Sequence, residues 1–124
     1  MAAKSVLVIG IDPVFADLSA HPEISADLVR AYIDQQIGRL RDLGYEVTSC
    51  LVDRGDTAET TVEAALRSRN YNCIVIGAGL REPAEFLLLF EKIINLVHQR
   101  APNTPIAFNT NPADTAEAAQ RWIS

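Results

Sequence analysis

The sequence predicts a small doubly wound α/β/α sandwich on four parallel strands in the order 2-1-3-4. Three observations carry that prediction. The runs Val6-Leu7-Val8-Ile9 and Cys73-Ile74-Val75-Ile76 are continuously apolar, as strands covered on both faces are. Strand-length and helix-period segments alternate as β-α-β-α-β-α-β-α, which calls for right-handed crossovers and a parallel sheet with helices on both sides. The second strand, Tyr45-Glu46-Val47-Thr48-Ser49-Cys50-Leu51-Val52-Asp53, is more polar and more alternating than the others, which suits a sheet edge.

Taken in order, Ser5-Val6-Leu7-Val8-Ile9-Gly10-Ile11-Asp12 is the first strand, stopped by Gly10, Asp12 and Pro13. The loop 14–25 is long for a βα connection, where about two to six residues are usual, and it carries Phe15, Asp17, His21 and Pro22. Ser25 is an N-cap for a first helix with apolar positions Val29, Ile33, Ile37 and Leu40, closed by Gly44 at C′. The second strand ends in the polar turn Asp53-Arg54-Gly55. Asp56 and Glu59 have capping-box spacing before a helix whose apolar stripe is Ala58, Val62, Ala65 and Leu66.

The strand Cys73-Ile74-Val75-Ile76 is followed by the turn Gly77-Ala78-Gly79 and a third helix over residues 83–100, with Pro83 at its first position. Phe86, Phe90, Ile93 and Val97 make one face of that helix, and Leu87, Leu88, Leu89, Ile94 and Leu96 widen the apolar surface beyond the usual stripe. Such a surface fits either burial against a neighbouring helix or a homo-oligomer contact. Ile106-Ala107-Phe108 is a short last strand. Asn109-Thr110-Asn111-Pro112 then caps a final helix that turns Ala116, Ala119, Trp122 and Ile123 inward.

The 124 residues are the size of one domain over positions 1–124, with 48% hydrophobic and 22% charged residues and no low-complexity tract. A net charge of −5 and an isoelectric point near 4.9 exclude a nucleic-acid partner bound through general phosphate neutralisation. The basic residues Arg30, Arg39, Arg41, Arg67, Arg69 and Arg100 are dispersed among acids, as on solvated faces. Met1 to Ser5 lead straight into a strand too short for a signal-peptide core or a membrane span, which predicts a cytoplasmic chain with no membrane partner. Cys50 and Cys73 sit inside strands and read as small buried hydrophobes.

In a doubly wound sheet a ligand binds beyond the carboxyl ends of the strands, where successive connections leave in opposite directions. Here that point lies between the first and third strands. The loops arriving there carry Asp12, His21, Asp53, Arg54, Gly77, Gly79, Arg81, Glu82, Asn109 and Asn111. Backbone amides after Gly77, with Arg81 and Arg54, form a candidate receptor for an anionic group. The same glycines equally serve a tight strand-to-helix turn. Asp12 and Asp53 fit either a divalent cation or the capping of their own loops, so no metal is assigned. There is no Walker lysine, no full dinucleotide fingerprint and no Gly-x-Ser-x-Gly elbow, and no cofactor is assigned.

The whole-chain pattern resembles the flavodoxin-like and receiver-like superfold, with a first strand ending in Asp12 as a receiver's first strand ends in an acid. The position of the receiver phosphoacceptor is occupied by Gly77, no lysine follows the last strand, and there are four strands rather than five, so the resemblance implies topology without phosphoryl-acceptor chemistry. Residues 73–112, with Cys73-Ile74-Val75-Ile76-Gly77-Ala78-Gly79 and Gln99-Arg100-Ala101-Pro102, resemble the strand, loop, helix and strand around a conserved block of SGNH-type hydrolases. Ala78-Gly79-Leu80-Arg81 lacks the asparagine of that block, and the Gly-Asp-Ser nucleophile block is missing, so no catalytic residue carries over.

Three functions are open to such a chain: a module binding a polar or anionic small molecule at the strand ends, a scaffold acting through the apolar third helix, and an acid-base or cation-assisted enzyme using Asp12, His21 and Glu82.

Overall fold

The computed structural model describes residues 3–123; Met1 and Ala2, read above as leading into the first strand, and Ser124 lie outside the described residues. Four parallel strands pair in the order β2-β1-β3-β4: β1 (Ser5–Ile11), β2 (Glu46–Val52), β3 (Cys73–Ile76) and β4 (Ile106–Phe108). The helices are α1 (Ala26–Asp42), α2 (Ala58–Ser68), the single turn α3 (Ala78–Arg81), α4 (Leu87–Arg100) and α5 (Thr115–Gln120). With helices on both faces, this is the arrangement of a flavodoxin-like three-layer sandwich.

Side chains alternate across the sheet and feed two cores. On one face Leu7, Ile9, Ile74 and Ile76 pack with Val62 of α2 and with Leu89, Ile93 and Val97 of α4. On the other, Val6, Val8, Cys73, Val75 and Ala107 meet Leu40 of α1 and the alanines Ala116, Ala118 and Ala119 of α5. The small α5 side chains let that helix lie close, and two polar links fix it. Gln36 of α1 is buried and its Oε1 accepts the Ala116 N–H at 3.0 Å. Arg39 pairs with Glu117.

Several local expectations hold. Ser25 caps α1, its hydroxyl accepting the Leu28 N–H at 3.1 Å, and Gly44 takes φ +95°, a backbone angle that glycine adopts without cost. β2 is an edge strand, and Cys50 and Cys73 are buried and free.

Others are corrected. The third helix does not run unbroken from Pro83: the Gly77-Ala78-Gly79 turn is already helical as α3, a 3-10 turn (Ala84–Phe86) follows, and α4 begins at Leu87. α2 starts after Thr57 rather than Asp56, because the Asp53 carboxylate takes the Thr57 N–H at 3.0 Å and its hydroxyl at 2.7 Å. The last helix starts after Asp114, not at Pro112, since Asn111 Oδ1 accepts the Ala113 N–H in a turn and Asp114 accepts the Thr110 and Asn111 amides. Trp122 is 58% exposed rather than facing inward, with Ile123 filling the core in its place.

Candidate functional site

At the carboxyl ends of β1 and β3 the chain leaves a groove of about 770 Å³. Segment 12–25 forms one wall and segment 78–86 the other, with Val29 and Tyr32 of α1 and residues 110–112 closing the end. A second, smaller hollow of about 70 Å³ lies beside it, shares Ile11, Val29, Ala78, Gly79 and Pro112, and reaches down to the β1 and β3 backbone at Gly10 and Gly77. Glycine has a steric role at one point: a Cβ on Gly79 would stand 3.0 Å from Ile11 Cγ2 between the two hollows. This is the switch point that the strand order demands.

Wall 78–86 is held from within. The Gly77 N–H donates to the Ile9 carbonyl at 2.8 Å, and the Ala78 N–H to Asn109 Oδ1 at 2.7 Å. Asn109 is buried and its Nδ2 donates to the Thr115 hydroxyl at 3.0 Å, so one side chain joins β4, α3 and α5. Arg81 closes the same clamp from the other end of α3, donating to the Asn109 carbonyl at 2.6 Å with its guanidinium 5.6 Å from the Phe108 ring centre. Leu80 and Phe86 anchor the wall in the core.

Beyond buried Pro13 and partly buried Phe15, wall 12–25 is held from outside. Asp12 Oδ1 accepts the Val14 N–H at 3.1 Å and Arg30 of α1 at 2.6 Å. The Val14 amide, with the Arg30 hydrogen bond and charge, holds the Asp12 carboxyl below its ordinary range against the opposing effect of burial. Arg54 reaches across to the Phe15 carbonyl at 3.0 Å and lies 5.9 Å from the centre of the Phe86 ring. Asp17 accepts the Ser19 N–H, and His21 faces Glu23 at 3.6 Å.

The predicted site residues therefore divide. His21, Gly79, Glu82 and Asn111 line the groove, and Gly77, Gly79 and Asn109 line the smaller hollow. Asp12, Asp53, Arg54 and Arg81 line neither. Asp53 is held low by the Thr57 hydroxyl and the Gly55 amide, and works as a loop cap. Of the amides after Gly77, read as anion donors, that of Ala78 is occupied by Asn109 Oδ1. Asp12 and His21 are each tied to separate partners rather than to one another.

Among the described residues, no group of three or more His, Cys, Asp or Glu is placed to hold a metal ion. Burial raises the thiols of Cys50 and Cys73 to about 11, which leaves both as protonated core residues at neutral pH.

Sequence reasoning missed Tyr32, Glu85 and Phe86 as groove residues. Tyr32 carried a usable signal, since it lies three positions after Val29, on an adjoining strip of the same helix. No protein-family model matches the chain, and no curated protein matches it significantly.

Proposed function

We propose that the chain is a cytoplasmic small-molecule-binding module of flavodoxin-like architecture whose site is the groove between segments 12–25 and 78–86. One observation carries the reading: the groove's volume of about 770 Å³ falls within the range of roughly 300–1,000 Å³ that small-molecule sites occupy, at the position where this topology binds ligands. Its lining supports it further, being mainly apolar with a few converging polar groups, among them His21, Glu82 and Asn111. The free, buried cysteines suit a reducing compartment, and no helix among the described residues is long and apolar enough to cross a membrane.

The test is a thermal-shift screen spanning nucleotides, flavins, phosphorylated metabolites, organic acids and organic amines. A ligand at a hundred times its dissociation constant stabilises by about 2.7 kcal/mol, a shift of several degrees. The stabilising compound should lose its effect on Ala84→Trp, which fills the groove from an exposed position. A screen with no stabilising compound, or one whose effect survives Ala84→Trp, removes the reading.

A second reading rests on Leu87 and Leu88, adjacent at the start of α4 and 59% and 64% exposed. A contact between copies of the chain there would cover them. Sedimentation as a monomer at micromolar concentration sinks it, as does an oligomer unchanged by Leu87→Gln with Leu88→Gln.

A further inference from the structure

We infer that the groove takes a small organic cation, an amine or guanidinium carried on an apolar body. The inference rests on the binding reading above and adds the ligand's charge to it. The groove's charged lining is one-sided: Asp17, Glu82 and Glu85 contribute carboxylates, His21 contributes an imidazole, and none of the described lysines or arginines lines it.

Each of the two arginines on neighbouring loops donates one guanidinium nitrogen to a protein carbonyl, Arg54 to Phe15 and Arg81 to Asn109, while Arg81 Nε is buried with no partner among the described residues. Each also lies near an aromatic ring, Phe86 and Phe108 respectively. Moving either into the groove would give up both contacts. An anionic ligand would meet like charge from Glu82 and Glu85 on one wall and from Asp17, partly offset by Arg54, on the other, whereas a cation meets attraction from both.

The rest of the lining sets the body of the ligand. Leu18, Ile24, Val29 and Pro83 present apolar surface, and Tyr32 offers a partly exposed ring. A cation over an aromatic face gains from the ring quadrupole as well as from nearby carboxylates. The Ser19 hydroxyl and amide, with a contribution from the Arg54 charge, hold Asp17 below its ordinary carboxyl range, so this acid stays charged across neutral pH. Fully hydrated inorganic cations have no apolar body to place against these walls, and the absence of a metal-ligand cluster among the described residues agrees with an organic one.

The experiment uses calorimetry on the full chain with matched triplets: an arylalkyl or alkyl amine, the alcohol of the same carbon skeleton, and the corresponding carboxylate. The amine should bind at least about tenfold tighter than the carboxylate, with the alcohol between them, as expected for a unit charge a few ångströms from several carboxylates near a protein surface. In Glu82→Gln with Glu85→Gln, both at exposed positions, that gap should shrink while the alcohol binds as before. A carboxylate that binds as well as the amine, or a gap unchanged by the double substitution, overturns the cation inference and leaves the groove reading standing. Triplets that do not bind at all overturn the cation inference while the groove reading is decided by the thermal-shift screen, and binding of a lysine-rich peptide without any small amine overturns this inference in favour of a protein partner.

Discussion

The two walls of the groove are built on opposite plans. Segment 78–86 is anchored by buried atoms: Leu80 and Phe86 in the core, Asn109 beneath Ala78, and the Ile9 carbonyl beneath Gly77. Segment 12–25 reaches the core only at its start, through buried Pro13 and partly buried Phe15, and is otherwise pinned at its surface by the Arg30 and Arg54 side chains and by turn hydrogen bonds at Ala16, His21 and Ile24. Buried hydrogen bonds are costly to break because the stranded group has no water to turn to, whereas exposed ones are exchanged for water at little cost. The first wall is therefore a fixed surface and the second an adjustable cover.

The largest expected effect tests the fixed wall. Asn109→Ala strands the Ala78 N–H and removes the partner of the Thr115 hydroxyl, both in a buried setting. The cost should be about 1–3 kcal/mol for the unsatisfied donor, measured as a fall in the urea midpoint at constant slope. Asn111→Ala is the matched control. Its Oδ1 also accepts a backbone N–H, from Ala113 at 2.7 Å, but from an exposed turn, and the loss should stay below about 1 kcal/mol. Equal losses from the two variants would remove the distinction between the walls.

That contrast also explains what could be read from the sequence. Strand order was legible because hydrophobic runs and their spacing fix it: Cys73-Ile74-Val75-Ile76 admits little but a central strand, and Glu46 with Thr48 suits only an edge. The location of the groove followed from topology. The use of individual polar residues did not follow, because proximity in sequence does not say which neighbour a side chain will choose. Asn109 looked like a ligand-facing amide and instead reaches back 31 positions to Ala78. Arg81 and Arg54 looked like ligand-facing charges, yet each found a carbonyl and an aromatic ring whose positions depend on the packed tertiary structure. Trp122 shared the helical spacing of inward residues, but α5 ends at Gln120, so the spacing no longer applied.

A smaller effect should come from the cover. Arg54→Ala removes the tie to the Phe15 carbonyl and the contact with Phe86, both near the surface, and should lower global stability by less than about 1 kcal/mol. Its effect should be local. Native-state hydrogen exchange at the Ala16, His21 and Ile24 amides should quicken, while Gly77, Ala78 and Leu80 keep their protection. Parallel loss of protection in both segments would mean that the walls open as one unit.

The smallest expected effect separates the walls by pH. Asp12 holds segment 12–25 through the Val14 amide and Arg30, and these partners lower its carboxyl in the folded chain. A group whose folded value is lowered contributes stability that is full above its unfolded value, near 4, and is lost as the pH falls through the lower folded value. Because the Asp12–Arg30 pair is partly exposed, its contribution should stay within about 1 kcal/mol. Below about pH 4 the amides of Val14 and Ala16 should therefore exchange faster once intrinsic rates are corrected, and Asp12→Asn should show that faster exchange already at neutral pH and add nothing on acidification. The Ala78 N–H rests on the Asn109 amide, which does not titrate, so its protection should follow global stability alone. A rise in Ala78 exchange that tracks Val14 through the same acid range, with global unfolding still negligible, would join the two walls into one acid-sensitive element.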